Sequence, residues 1–144
     1  MTTTSTKLTL AHFSDPVVRE AILPLLGSIS CGFPSPAGDY IEKELDLVSL
    51  LIPRPSSTFF AWASGTSLIH RGIPSKALLI LDASLEAHHD DVVAAVVDGE
   101  LTCKVYDKVG RCLRDAGDRR IEIRDGQVQV FGVVKAAVNI LCSR

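Results

Sequence analysis

The stretch Asp91-Val92-Val93-Ala94-Ala95-Val96-Val97-Asp98-Gly99-Glu100-Leu101-Thr102-Cys103-Lys104-Val105-Tyr106 decides the fold. Asp-Gly is a strong two-residue turn signal, because both central positions of a type I′ turn take positive φ. The apolar, largely β-branched runs beside it predict strands over 91–97 and 100–106. The turn also sets the register. Val97 falls opposite Glu100, Ala95 opposite Thr102 and Val93 opposite Lys104. Directly opposed side chains share a face of the sheet. Lys104 is therefore predicted to stand beside Val93 and diagonal to Ala95, an apolar neighbourhood for an ammonium group.

Outward from this hairpin, residues 58–63 and 77–81 read as strands, the second closed by Asp82. Residues 121–124 and 127–134 flank Asp125-Gly126, a second hairpin signal, and Gln127-Val128-Gln129-Val130 alternates cleanly. The charged residues 107–120 read as loop. Two hairpins and two further strands predict a mainly β protein, a compact antiparallel domain folded over on itself. Two short helices are also predicted. One covers 15–23, with Asp15 as cap, Pro16 in the first turn and Pro24 ending it. The other starts from the capping box Asp39-Tyr40-Ile41-Glu42, carries Ile41, Leu45, Val48 and Leu51 at helical spacing, and stops before Pro53.

Residues 1 to about 30 cannot build a core of their own and read as an N-terminal arm. Behind them comes Cys31-Gly32-Phe33-Pro34-Ser35-Pro36-Ala37-Gly38-Asp39. Two prolines and two glycines in nine residues exclude helix and central strand. An extended, exposed backbone is what a peptidase site binds, commonly as an added strand. An ordinary linker has the same composition.

The 144 residues are 47% hydrophobic and 22% charged, which fits one globular domain with a real core. The net charge of −2 lacks the basic footprint of a nucleic-acid binder. No apolar run reaches the roughly 18–20 residues of a membrane span, and the N-terminus has no signal-peptide pattern. A soluble, cytoplasmic protein is the expectation. The cysteines Cys31, Cys103, Cys112 and Cys142 contain no C-x-x-C, so neither a metal site nor a disulfide framework is indicated. Cys103 and Cys142 are predicted as buried apolar fillers.

Chemistry concentrates where the strand Phe59-Phe60-Ala61-Trp62-Ala63 runs into Ser64-Gly65-Thr66-Ser67-Leu68. An apolar run ending in a small, hydroxyl-rich corner presents one exposed side chain from a rigid base. A serine hydroxyl is a weak nucleophile until a base takes its proton. A lysine is such a base only when neutral, and burial against apolar residues favours its neutral form. Ser67 as nucleophile with Lys104 as base is the dyad variant of triad logic. The Ser67 amide is the first candidate oxyanion donor.

Several blocks now resemble one family. Cys31-Gly32-Phe33-Pro34-Ser35-Pro36-Ala37 is similar to the self-cleavage segment of the UmuD proteins, relatives of the LexA repressor cleavage domain. Ser64-Gly65-Thr66-Ser67-Leu68 is similar to their S-G-x-S-M motif, and Leu78-Leu79-Ile80-Leu81-Asp82 to their L-L-I-V-D strand. Asp98-Gly99-Glu100-Leu101-Thr102-Cys103-Lys104 is similar to D-G-E-F-T-V-K, and Phe131-Gly132-Val133-Val134 matches F-G-V-V. Ser67 stands 36 residues after Cys31, and Lys104 stands 37 after Ser67, as in the family. The resemblance covers about residues 29 to 138.

It implies a fold of the LexA and signal-peptidase type. It also implies cleavage between Cys31 and Gly32 by Ser67 and Lys104, dividing the chain into an arm of 1–31 and a peptidase domain of 32–144. The implied partners are a second copy in a homodimer, a RecA filament on single-stranded DNA that promotes the cut, and a UmuC-type polymerase for translesion synthesis. No cofactor or metal is implied. Lys76 and Asp90 stand where the family often has glycine, which predicts that those two turns differ.

Other readings weigh less. His88-His89-Asp90-Asp91 precedes a strand, where a polar turn is expected before a metal site. Phe60 and Trp62 alternate with Phe59 and suit core packing or a dimer face better than base stacking. A non-cleaving polymerase subunit would not need both Ser67 and Lys104. A LexA-like repressor needs a helix-turn-helix domain, and thirty residues are too few for one.

Overall fold

The computed structural model describes residues 18–32, 43–117, 119–124 and 126–144. Nine strands and one short helix follow in order: β1 (Ile22–Leu25), β2 (Lys43–Asp46), α1 (Leu47–Leu51), β3 (Thr58–Trp62), β4 (Leu78–Asp82), β5 (Val92–Val97), β6 (Glu100–Asp107), β7 (Cys112–Arg114), β8 (Arg120–Glu122) and β9 (Val128–Val138). β1 and β2 form a two-stranded antiparallel sheet. The other seven form one antiparallel sheet in the order β3-β4-β9-β5-β6-β7-β8.

The β5–β6 hairpin has the predicted register, with Val97 opposite Glu100, Ala95 opposite Thr102 and Val93 opposite Lys104. Asp98 and Gly99 take φ 49° and 83°, as a type I′ turn requires. The interior strand β9 is irregular at two points. β9 slips register once against β4, between Ile80 and Leu81, and once against β5, between Ala94 and Ala95. Each irregularity adds a local bend and twist. At the second, Gly132 passes so close to β4 that a Cβ there would lie 3.0 Å from the Asp82 carbonyl oxygen.

Apolar residues fill both faces of the folded sheet. One cluster holds Leu68, Ile73, Ala77, Leu79 and Val105. The other holds Val93, Ala95, Leu113 and Val133. Phe59 packs edge-on to Phe131 with ring centroids 5.2 Å apart, whereas Phe60 and Trp62 lie exposed on edge strand β3. Asp82 is a fully buried carboxylate at the end of β4. It accepts from Arg54 Nε at 2.6 Å, Ser57 Oγ at 3.0 Å, and the Ser84 amide and hydroxyl at 2.9 and 2.6 Å. Burial would raise its pKa, but the Ser84, Arg54 and Ser57 hydrogen bonds outweigh burial and hold it well below the usual carboxylate range.

Several expectations are corrected. The arm is not helical over its described part: 18–20 are irregular and Ile22–Leu25 is a strand, while 15–17 lie outside the described residues. Pro24 sits inside that strand, opposite Glu44, which a two-stranded sheet tolerates because both strands are edges. The capping box at Asp39 also lies outside the described residues. Pairing with β1 takes Lys43–Asp46 into strand, so the helix starts later, at Leu47. Asp46 is its cap, with Oδ1 accepting the Val48 amide at 3.1 Å. The helix does stop before Pro53.

The stretch 107–120 is not all loop, because Cys112 and Leu113 are buried in β7. The second hairpin does not form. β8 pairs with β7, and β9 pairs with β5 and β4. Lys76 and Asp90 take left-handed backbones, φ 71° and 70°, the region that glycine adopts most readily. Cys142 is exposed rather than buried, and Cys103 is half-buried.

Candidate active site

The corner after β3 is built by its own backbone. Ile69 N–H donates to the Thr66 carbonyl at 3.2 Å, and Arg71 and Ile73 N–H donate to the Leu68 carbonyl at 2.9 and 3.2 Å. Leu68 is buried in the first apolar cluster and pins the corner from below. At its other end, the Gly65 amide donates to Ser75 Oγ at 3.2 Å. Ser67 is left exposed between two fixed points. Its backbone N–H meets no acceptor among the described residues.

Ser67 and Lys104 line the same cleft, of about 250 Å³. Leu68, Ile73, Leu79 and Cys103 contribute apolar lining. Lys104 comes from β6 and faces Val93 across the hairpin, where Val93 and Ala95 are both 0% exposed. It also borders a second depression with Val97, Asp98, Glu100, Thr102 and Ile121. Lys104 thus borders both depressions. Among the described residues, no hydrogen bond or ion pair engages Ser67 Oγ or Lys104 Nζ.

Cys31 and Gly32 are exposed and do not line this cleft. The Gly32 amide donates to Ser30 Oγ at 3.4 Å in a local bend. Residues 33–39 of the extended segment lie outside the described residues. The arm is paired beyond the scissile position, β1 on one side of residues 31–32 and β2 on the other. Five residues lie between Leu25 and Cys31, six steps of chain that reach up to about 20 Å when extended.

Burial raises the Cys103 thiol above its ordinary pKa, and the positive charge of Lys104 partly offsets this. Hydrogen bonds from Arg144, side chain first, lower that of Cys142. His88 and Asp91 close a turn, with the His88 amide on Asp91 Oδ2 at 2.8 Å and the Asp91 amide on the His88 carbonyl at 3.1 Å. No cluster of His, Cys, Asp or Glu suited to a metal occurs among the described residues. Among them no helix is long and apolar enough to cross a membrane. Sequence reasoning missed the ionic cluster of Arg71, Asp90, Asp107 and Arg114. Its one signal was Asp90 at a position where glycine is frequent.

The antiparallel sheet thus brings an exposed serine and a strand lysine to one cleft. The sequence profile of the Peptidase S24-like family matches residues 24–135, and the chain belongs to that family. Its relatives support the UmuD-type recognition made from the motifs. Protein SamA of Salmonella typhimurium strain LT2 is 38% identical over 75% of this chain and 78% of its own length. Protein ImpA of Escherichia coli is 51% identical over 51% of this chain and 50% of its own. The chain therefore spans about half the length of the ImpA relatives it matches. The LexA repressor of Clostridium novyi strain NT is 27% identical over 86% of this chain and 64% of the repressor.

Proposed function

We propose that this chain is a UmuD-type self-cleaving peptidase of the SOS mutagenesis response, in which Ser67 cuts between Cys31 and Gly32. Lys104, in its neutral form, takes the Ser67 Oγ proton as Oγ attacks the Cys31 carbonyl carbon. The Ser67 amide, which has no other acceptor among the described residues, serves the oxyanion. The Cys31–Gly32 C–N bond breaks as Lys104 passes the proton to the Gly32 nitrogen. Water then hydrolyses the Cys31 ester, and Ser67 Oγ regains a proton. The observation that carries this reading is the convergence of Ser67 and Lys104, from β3's corner and from β6, on one cleft.

The substrate is tethered, so its effective concentration is high and weak docking suffices. Cys31 lies outside the cleft, so the switch is the population in which residues 31–32 enter it. A RecA filament on single-stranded DNA raises that population. The cut separates the arm, 1–31, from the peptidase domain, 32–144. As a homodimer in the cytoplasm, the shortened protein then joins a UmuC-type polymerase for translesion synthesis.

The test is incubation of the purified chain at increasing pH, which raises the neutral fraction of lysine, with intact-mass spectrometry. A cut after Cys31 that accelerates with pH, and disappears in Ser67→Ala and Lys104→Ala, is the expected result. A chain that stays whole at alkaline pH and with RecA filament would sink the reading.

A further inference from the structure

Asp90 takes no part in the proposed chemistry, yet it connects the two elements that carry it. Its carboxylate Oδ1 lies 2.6 Å from Arg114 Nη2 and 3.5 Å from Arg71 Nη2. Its backbone carbonyl accepts from Arg71 Nη1 at 3.1 Å. Arg71 ends the short 3-10 turn Ile69–Arg71 that directly follows Ser67 and Leu68. Arg114 lies in β7 opposite Val105, the neighbour of Lys104, and its Nε is 3.2 Å from Asp107 Oδ2 at the end of β6. Asp90 itself is docked onto β6 by its amide, which donates to the Tyr106 carbonyl at 2.8 Å.

We infer that Arg71, Asp90 and Arg114 form a positioning clamp that sets the separation of Ser67 from Lys104. This inference rests on the Ser67–Lys104 reading. Ser67 sits on a corner outside regular secondary structure, and no direct hydrogen bond joins it to Lys104 among the described residues. Their spacing therefore depends on what holds the two ends of the corner. Ser75 fixes the Gly65 end. Asp90 fixes the Arg71 end, and it fixes it to the strand that carries the lysine. Leu68 burial sets the depth of the corner, while the clamp limits its sliding along β6.

The three side chains are between 29% and 54% exposed. Ion pairs at such exposure contribute little to global stability. The clamp's effect therefore appears in the rate of self-cleavage, where displacement of a reacting atom by 1 Å costs about a hundredfold. A loosened rather than displaced corner loses about tenfold on the same scale.

The experiment measures the first-order rate of self-cleavage across the alkaline range for the full chain and for Arg71→Ala, Asp90→Gly, their combination, and Arg71→Lys. Glycine at 90 preserves the left-handed backbone. Arg71→Ala is expected to lose about tenfold in plateau rate, and Asp90→Gly less because its backbone carbonyl can still accept from Arg71, both with an unmoved pH midpoint and melting temperature. The combination should lose no more than Arg71→Ala alone, because that change already removes every contact between residues 71 and 90. Arg71→Lys should recover most of the rate. A wild-type chain that never cuts overturns the dyad reading and the clamp with it. A wild-type chain that cuts, with variants that match it, overturns the clamp alone. Multiplicative losses, or losses that follow the melting temperature, also overturn it.

Discussion

Replacing Asp82 by asparagine tests how the sheet holds the strand that leads to Ser67. The carboxylate is buried, and all four of its hydrogen bonds are accepted ones. Asparagine keeps one oxygen for Ser57 and Ser84 but points an N–H₂ group at Arg54, donor against donor. A hydrogen bond to a charged group contributes about 1.5–3 kcal/mol. The Arg54 side chain is 44% exposed and rehydrates, so the lower part of that range applies, about 2 kcal/mol. For a chain of this size that lowers the melting temperature by roughly 8 °C.

The pH dependence follows from the depressed pKa of Asp82. Stability from a carboxylate whose folded pKa lies below its ordinary value of about 3.9 is complete above that value. It is lost as pH falls through the folded pKa. Asparagine does not titrate, so the gap between the two proteins is widest near neutrality and narrows below about pH 4. Asp107 is also depressed, first by the Gly110 amide, with Arg114, His89 and Arg120 adding to it against burial. It is present in both proteins and cancels from the difference. Urea unfolding followed by circular dichroism at several pH values measures the gap. A gap under about 0.5 kcal/mol at neutral pH, or one as wide at pH 2 as at pH 7, refutes the account of this carboxylate, because it removes the hydrogen-bond cost or the linkage.

Two further substitutions test the backbone. Gly132→Ala places a Cβ 3.0 Å from the Asp82 carbonyl oxygen and 3.1 Å from Ala83 Cα; both are backbone atoms, so it should cost about 1–3 kcal/mol in urea unfolding. Lys76→Gly relieves a left-handed lysine at φ 71°; it should stabilise by up to about 1 kcal/mol in the same assay, since the left-handed form costs an L-residue roughly 1–2 kcal/mol and glycine returns part of that as chain entropy.

The sequence exposes the β5–β6 hairpin down to the pairing of Val93 with Lys104, because a two-residue turn fixes register locally. It does not expose the partner of β9. Asp125-Gly126 specifies a turn, and the Gln127 amide does close back on the Arg124 carbonyl at 3.1 Å. Which strand lies alongside is decided by burial on both faces of β9, which is a property of the whole sheet. β7 escapes for a related reason: three residues are too few for a period-two signal inside a charged stretch. The helix predictions at 15–23 and from Asp39 give way where a distant segment, β1 on β2, offers a ladder that local propensity cannot anticipate. Motif and spacing single out Ser67 and Lys104, and both line one cleft. The clamp was not, because its pairs lie 19 and 24 residues apart and leave no periodic trace.

The β1–β2 pairing changes what self-cleavage would have to accomplish. It ties down the chain on both sides of Cys31-Gly32, with Leu25 paired to Lys43. It also means that a cut does not by itself free the arm, since four residue pairs from Ile22–Asp46 to Leu25–Lys43 remain. Two-stranded sheets are marginal in water. Before the cut, the ladder benefits from covalent closure of the loop. After it, the same ladder must also offset the entropy of keeping two separate chains together. Cleavage at 31–32 would thus convert a marginal intramolecular pairing into an intermolecular one that dilution can break. The proposed reaction releases the arm through that change in connectivity.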